Sequence, residues 1–334
     1  MFRRILLAIL GVAILAGAVF LIRLRLAPRP ENQKPGKFPE QLVFVRSKDD
    51  VVSGGALFTA PKDSSQPIAV IWIPGWGVNF YLPSYVGIGR ALAERGCTTI
   101  TANTRMHDIG NVEKYSWGKR VRGGGYWGVT SEAARDIAAW IDFAQQLGFS
   151  QVVLVGHSAG WASVGRYQAD TRDQRVAGLV LASGGIGYTA QADDPALLAQ
   201  AKKLVEDGAG DDLLRLPNRS FPSFVSAATF LDGVNTPREY EDFFGTQISD
   251  PAVMRVRCPI LAFFGTNDDV GTEADLQLLK SSVQRLASGP SRVDITMIQN
   301  GNHEYVGEEA QVAKTIASWA GTLPKSGNTE APKH

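Results

Sequence analysis

Gln151-Val-Val-Leu-Val-Gly156-His157-Ser158-Ala159-Gly160-Trp161 is the stretch on which the reading of this 334-residue chain turns. An uninterrupted apolar run, as expected of a strand buried on both faces, leads straight into G-x-S-x-G, and helix-compatible residues follow. The glycines have a mechanical reading. A nucleophilic serine must project from a sharp strand-to-helix turn in a strained backbone conformation, and side chains two positions before and after it would collide. Gly156 and Gly160 remove both. The turn also aims the N-terminus of the following helix, with the Ala159 N–H, at a developing oxyanion. G-x-S-x-G alone is a common chance match; a strand before it and a helix after it make Ser158 a candidate nucleophile.

Working outward, β-rich apolar runs recur at 41–46, 51–59, 68–73, 98–102, 152–155, 176–182, 260–264 and 293–298. Helix-period segments lie between the later ones. Residues 131–147 place Ala133, Ile137, Trp140 and Ile141 on one face, with Ser131 and Glu132 suited to the first turn. Segments 272–286 and 307–319 behave similarly. This alternation predicts an α/β fold: a mostly parallel sheet, eight strands in all, with helices on both faces. Two intervals are too long for simple connections. Residues 106–130 separate a strand from a helix, and residues 185–257 separate two strands, with helical pieces around 195–206 and 237–244. Long insertions in such a sheet become lids or substrate walls.

These residues resemble the α/β-hydrolase family over roughly residues 40–322. The resemblance implies the α/β-hydrolase fold, with 185–257 as an inserted lid or cap, and a chain order of Ser, then acid, then His. Pro259-Ile-Leu-Ala-Phe-Phe-Gly265-Thr-Asn-Asp268-Asp269 looks like the strand and G-x-x-D turn that present the acid; Asp268 fits the spacing and Asp269 is the alternative. Asn300-Gly301-Asn302-His303-Glu304 looks like the histidine loop after the last strand. By resemblance, His303 takes the Ser158 proton and Asp268 holds its tautomer. Ile71-Trp72-Ile73-Pro74-Gly75-Trp76-Gly77 matches the family's oxyanion loop, with Pro74 where the family has His. The Trp76 N–H is then the second oxyanion donor beside Ala159. A backbone donor does not depend on the side chain at position 74.

Other features carry less. His157 sits inside the elbow and reads as a packing residue. His107, in Asn103-Thr-Arg105-Met-His107-Asp108, lies where the family often has Arg-Gly-His-Gly; Met106 replaces the glycine. Gly123-Gly-Gly-Tyr126-Trp127-Gly128 formally satisfies G-x-G-x-x-G, but Lys119-Arg120-Val-Arg122 precedes it instead of a buried strand, so no dinucleotide site is expected. With four histidines and no second His at zincin spacing from His303-Glu304, neither a metal nor another cofactor is expected. Segment 106–130 also holds Lys114, Lys119, Tyr115 and Trp117. Arg120, Arg122, Tyr126 and Trp127 are its candidate substrate-binding residues, for anionic or aromatic esters, against the alternative of a solvated loop. By the family's strand order Cys97 and Cys258 lie four strand positions apart, about 19 Å. A disulfide needs Cα atoms within about 7 Å.

Composition bounds the remainder. Apolar residues are 44% and charged residues 20%, which excludes disorder, collagen and coiled coil as the main architecture. The formal charge of +1 argues against a nucleic-acid partner. It hides an asymmetry: residues 1–29 hold five arginines and no acid, leaving 29 basic and 33 acidic residues for the rest. Between Arg4 and Arg23 runs an uncharged 18-residue segment, 5–22, spanning about 27 Å as a helix. We read residues 1–25 as a single-pass membrane anchor. The alternative is a signal peptide cleaved at Ala16-Gly17-Ala18, which would leave Val19-Phe20-Leu21-Ile22 exposed. Charge counting favours a cytoplasmic globule, the signal-like start favours export, and export is the expectation. Residues 26–39 read as a linker, 40–322 as the hydrolase domain and 323–334 as a flexible tail.

The expected function is a serine hydrolase cleaving a small-molecule carboxylic ester through an acyl-enzyme. A thioester, amide or C–C hydrolase of the same fold is the alternative, and a non-catalytic membrane-tethered binding protein is a further one. A carboxylate nucleophile, as in dehalogenases and epoxide hydrolases of this fold, does not fit Ser158. Small-lidded bacterial esterases, including siderophore-ester hydrolases, are the group it is most similar to.

Overall fold

The computed structural model describes residue 17 and residues 36–114, 120–185, 194–217 and 223–324. Within it β3 (Ile68–Ile73) shows why the sheet is central. All six residues are buried; Ala69, Ile71 and Ile73 join one apolar cluster while Ile68, Val70 and Trp72 join another on the opposite face. An apolar run with both alternating faces covered is the signature of a strand between two helix layers.

Eight strands form the main sheet, in the order β1 (Glu40–Arg46), β2 (Val52–Phe58), β4 (Thr99–Ala102), β3, β7 (Gln151–His157), β8 (Val176–Ala182), β11 (Ile260–Gly265) and β12 (Val293–Ile298). β1–β2 and β2–β4 are antiparallel, and every other pairing is parallel. One face is covered by α1 (Pro83–Glu94) and α8 (Glu309–Ala320), through Tyr85, Ile88, Leu92, Val312, Ile316 and Trp319. The other is covered by α2 (Ala133–Gln146), α3 (Gly160–Thr171) and α7 (Glu273–Gln284). Burying each Ile or Leu in such a layer stabilises by about 1.5–3 kcal/mol.

The helix starts have local causes. Thr272 opens α7 with a capping box to Asp275. α2 departs from expectation: Thr130–Glu132 form a 3-10 turn and the α-helix starts at Ala133. Ser131 does not cap it, because its hydroxyl donates to Asp232 Oδ1 at 2.8 Å and its amide faces Oδ2.

The two long intervals have structure of their own. In 106–130, β5 (Asn111–Lys114) and β6 (Arg120–Gly123) form an antiparallel hairpin. In 185–257 lie α4 (Pro195–Glu206), β9 (Leu213–Arg215), β10 (Phe224–Ser226), α5 (Ala227–Val234) and α6 (Arg238–Glu241). Leu197, Ala201, Leu214, Leu216, Val225 and Phe230 give this segment a separate apolar cluster. The helical piece expected over 237–244 shrinks to α6, because the Asp242 carboxylate accepts from the amides of Thr246, Gln247 and Ile248 and turns the chain away.

Cys97 and Cys258 are free thiols, just before β4 and β11, which stand four positions apart in the sheet. Among the described residues no helix is long and apolar enough to cross a membrane. The anchor read at 1–25 (Gly17 apart), residues 26–35 of the linker and residues 325–334 of the tail lie outside the described residues.

Candidate active site

β7 delivers Ser158 on a turn that only glycine neighbours permit. Ser158 has φ +51°, in the left-handed region that non-glycine residues avoid. A Cβ on Gly156 would lie 2.5 Å from Trp161 Cα, and one on Gly160 would lie 2.4 Å from the Pro74 carbonyl oxygen. The Ser158 amide donates to the Ala182 carbonyl at 2.9 Å, tying the turn to β8.

The loops after β11 and β12 bring two more side chains to Ser158. His303 Nε2 lies 3.1 Å from Ser158 Oγ, and His303 Nδ1 lies 3.1 Å from Asp268 Oδ1. The Asp268 side chain is fully buried, whereas Asp269 is exposed. Asp268 Oδ1 also accepts from the Val270 amide at 2.9 Å, and Oδ2 accepts from Ser183 Oγ. Tyr305 Oη lies 2.5 Å from Ser183 Oγ. Because the Ser183 proton goes to the carboxylate, Tyr305 is the donor in that pair. Burial works against the Asp268 charge, yet hydrogen bonds from His303, Ser183 and the Val270 amide outweigh it and hold the carboxylate below its ordinary range. The hydrogen bond to Asp268 raises the His303 pKa against the opposing effect of burial. An ionised carboxylate only accepts, so Nδ1 carries the imidazole proton and the bare Nε2 faces the serine hydroxyl. Asp268, Asp269 and His303 offer ligand atoms within 4.8 Å of one another. Asp268 and both His303 nitrogens are already engaged in the line to Ser158.

The loop after β3 closes in from the other side. A Cβ on Gly75 would lie 2.8 Å from Ser158 Cβ and 3.3 Å from its Oγ, so the Gly75 main chain rests directly on the serine. Trp76 and Ala159 flank Ser158 on the wall of one cavity. The Trp76 indole N–H donates to the Gly125 carbonyl at 2.8 Å, which ties that side chain to segment 106–130.

The cavity has a volume of about 420 Å³, within the range of about 300–1,000 Å³ typical of small-molecule sites. Its apolar lining includes Trp161, Leu216, Val225, Phe230, Val234 and Phe243. Ala159, Ala162 and Arg166 extend it along one face of α3. Of the described residues in segment 106–130, Met106, Gly128 and Thr130 line it, and Arg122, Tyr126 and Trp127 do not. Tyr126 packs beside the Trp76 ring at 5.9 Å, and its carbonyl accepts from the Ser226 amide. Trp127 donates its indole N–H to the Asp211 carbonyl, and exposed Arg122 lies 5.4 Å over its ring. The Arg120 side chain lies outside the described residues. In the glycine run, Gly124 and Gly125 donate to the carbonyls of Arg105 and Asp108, so the run is a turn bolted to the loop after β4.

Three residues not singled out in the sequence support the site. Ser183 and Tyr305 hold Asp268 as described. Arg105 is buried, with its guanidinium on Asp136 at 2.9–3.0 Å, Asp49 at 2.9–3.0 Å and Glu132 at 3.0 Å. Burial opposes that charge, but the hydrogen bonds to Asp136 and Asp49 raise the Arg105 pKa further. The available signals were faint: Ser183 is the first polar residue after an apolar strand, and Tyr305 stands two places beyond His303. His107 Nδ1 pairs with Asp108 Oδ2 at 2.8 Å and does not line the cavity.

The sequence model of the alpha/beta hydrolase family matches residues 70–315. No curated protein matches the chain. Among solved structures, Est1E from Butyrivibrio proteoclasticus with ferulic acid bound aligns with a TM-score of 0.57 at 16% identity, covering 83% of this chain and 97% of that one. A monoacylglycerol lipase from Paleococcus ferrophilus aligns with a TM-score of 0.53 at 18% identity, covering 80% and 97%. The Pyrococcus furiosus esterase Pf2001 gives 0.54 at 13% identity, covering 89% and 98%.

Proposed function

The chain belongs to the alpha/beta hydrolase family and is an esterase-like hydrolase, and we propose that it cleaves carboxylic esters through a covalent acyl-enzyme on Ser158. One observation carries this reading: the unbroken line from Asp268 through His303 to Ser158, ending on the wall of an apolar cavity. Ser158 Oγ attacks the ester carbonyl while His303 Nε2 takes its proton. The oxyanion forms beside the Gly75–Trp76 main chain and the start of α3, where the N–H groups of Trp76 and Ala159 receive it. Each such donor is worth about 10²–10³ in rate. Collapse releases the alcohol, which takes the proton from His303, and leaves Ser158 acylated. Water then attacks the acyl group as His303 again accepts a proton, and free acid and serine are restored.

The acyl group proposed is apolar and of moderate length, because the cavity runs from Ser158 along α3 between apolar side chains. Segment 185–257 is the proposed lid over it, and the 18-residue run at 5–22 the proposed membrane anchor, with the catalytic domain exported. The test is a fluorophosphonate probe combined with a panel of esters graded in acyl length. Labelling and turnover are expected in the wild-type chain and absent in Ser158→Ala. A folded wild-type protein that takes no label would reject the reading. Turnover of amides or thioesters ahead of esters would reassign the bond. Release of the full-length chain from membranes by alkaline carbonate would reject the anchor.

A further inference from the structure

His157 precedes the nucleophile, and its side chain is used by none of the steps above. It is 1% exposed and turned into the protein. Nε2 lies 2.7 Å from the main-chain carbonyl oxygen of His303, and Nδ1 lies 2.7 Å from Tyr85 Oη. A carbonyl oxygen only accepts, so Nε2 carries the proton; Nδ1 is then bare and accepts from the Tyr85 hydroxyl. Tyr85 is fully buried in α1.

We propose that His157 is a positioning residue that fixes the His303 loop, through its carbonyl, to the elbow and to α1. The bonds form one buried line, from Tyr85 Oη–H to His157 Nδ1, then across the ring from Nε2–H to the His303 carbonyl. It joins α1, the end of β7 and the loop after β12, which are far apart in sequence. His303 is thereby held at two points: Asp268 sets its ring, and His157 sets its backbone. The groups around the His157 ring leave it little freedom. Trp72 stacks on it at 6.0 Å, Tyr85 and Tyr305 stand edge-on at 5.5 and 5.7 Å, and the His303 ring lies 4.9 Å away. Burial, with His303 nearby, pushes the His157 pKa down to about 4, so the neutral tautomer that both hydrogen bonds require persists wherever His303 can act as a base.

The proposal rests on His303 being the base of the reaction above. Its consequence is specific to the serine–histidine approach, since displacement of a reacting group by about 1 Å can cost about 10² in rate. The test uses the full-length chain with three substitutions. His157→Phe keeps a ring but loses both hydrogen bonds. His157→Gln keeps an amide N–H that can reach the His303 carbonyl. Tyr85→Phe removes the hydroxyl that donates to Nδ1. The readouts are kcat and KM on an activated ester, thermal stability, and the downfield proton resonance of His303 Nδ1–H. For His157→Phe we expect kcat to fall about 100-fold with KM changed by less than about threefold, together with a displaced Nδ1–H resonance. Gln is expected to restore most of both, and Tyr85→Phe to fall between.

A His157→Phe protein that keeps kcat per folded molecule and an unmoved resonance overturns the proposal. A Gln variant as poor as Phe does so too, because the hydrogen bond is then not what matters. Should Phe fail to fold, Tyr85→Phe decides: unchanged kcat with an unchanged resonance overturns it. The resonance is read without turnover, so a wild-type chain with no esterase activity would sink the reaction assigned above while leaving the positioning role measurable.

Discussion

The strand ends and the segments inserted between them meet at the same cavity but are built by different rules. Ser158, Asp268 and His303 stand on short loops leaving strands of six or seven residues, pinned by buried hydrogen bonds. The inserted segments offer strands of three or four residues and an apolar cluster of their own. The first reaches the sheet side through a polar tie, the Arg105 carbonyl to Gly124, and the second is joined to the end of the first by the Asp232 carboxylate on Thr130 and Ser131. Bond-making needs sub-ångström placement, which long paired strands supply. A pocket wall needs shape, which short elements can vary without disturbing the chemistry.

The sharpest way to break this contrast is at Ser158. Ser158→Ala should lower kcat by about 10⁶-fold while leaving the melting temperature near wild type, read by ester turnover and calorimetry. Asp268→Asn comes next, at about 10⁴-fold, because the amide can hold His303 in the wrong tautomer. Asp269→Asn should change nothing measurable, and an equal loss in both would undo the assignment of the acid. The same pair checks the pH dependence. His303 must be neutral to accept a proton, and Asp268 raises its pKa, so kcat/KM should fall with acidification through a value above 6.5. In Asp268→Asn that limb should move to lower pH.

The buried ion pairs at the end of β4 should show up as stability. Arg105→Ala strands the carboxylates of Asp136 and Asp49 and should cost about 3–5 kcal/mol in denaturant unfolding. Within the wall, Phe230→Ala enlarges the cavity and should shift the preferred acyl length upward, with changes in kcat/KM of about 10-fold. The smallest effect belongs to Arg122→Ala. Its side chain is exposed over Trp127, so the ratio of anionic to neutral ester turnover should not move; a changed ratio would return the basic hairpin to the substrate site.

What could be read from the sequence follows the same division. The elbow was legible because its constraint is local: Gly156, Ser158 and Gly160 must occur at fixed spacing for the turn to exist. Asp268 and His303 could be placed because each follows a strand in a fixed order. The choice between Asp268 and Asp269 needed three dimensions, since it depends on which carboxylate Ser183 reaches from 85 residues away. The same holds for Tyr305 on Ser183 and for Arg105 on Asp136, contacts that leave no periodic trace. α1 was overlooked for another reason. Its apolar positions Tyr85, Ile88 and Leu92 have helical spacing, but Gly87 and Gly89 depress its propensity. Gly89 is small because a Cβ there would lie 2.6 Å from the Phe58 ring. The hairpin of 106–130 was missed because strands of four residues are too short to carry a readable pattern.

Asp232 gives the two insertions a shared fate. One carboxylate from the second insertion receives two amides and a hydroxyl from the end of the first. Grafting either segment alone onto a relative would leave those donors, or that charge, without a counterpart. Substrate preference in this protein is therefore expected to be transferable only as a pair of segments, and chimaeras that divide the pair should fail in folding before they fail in selectivity.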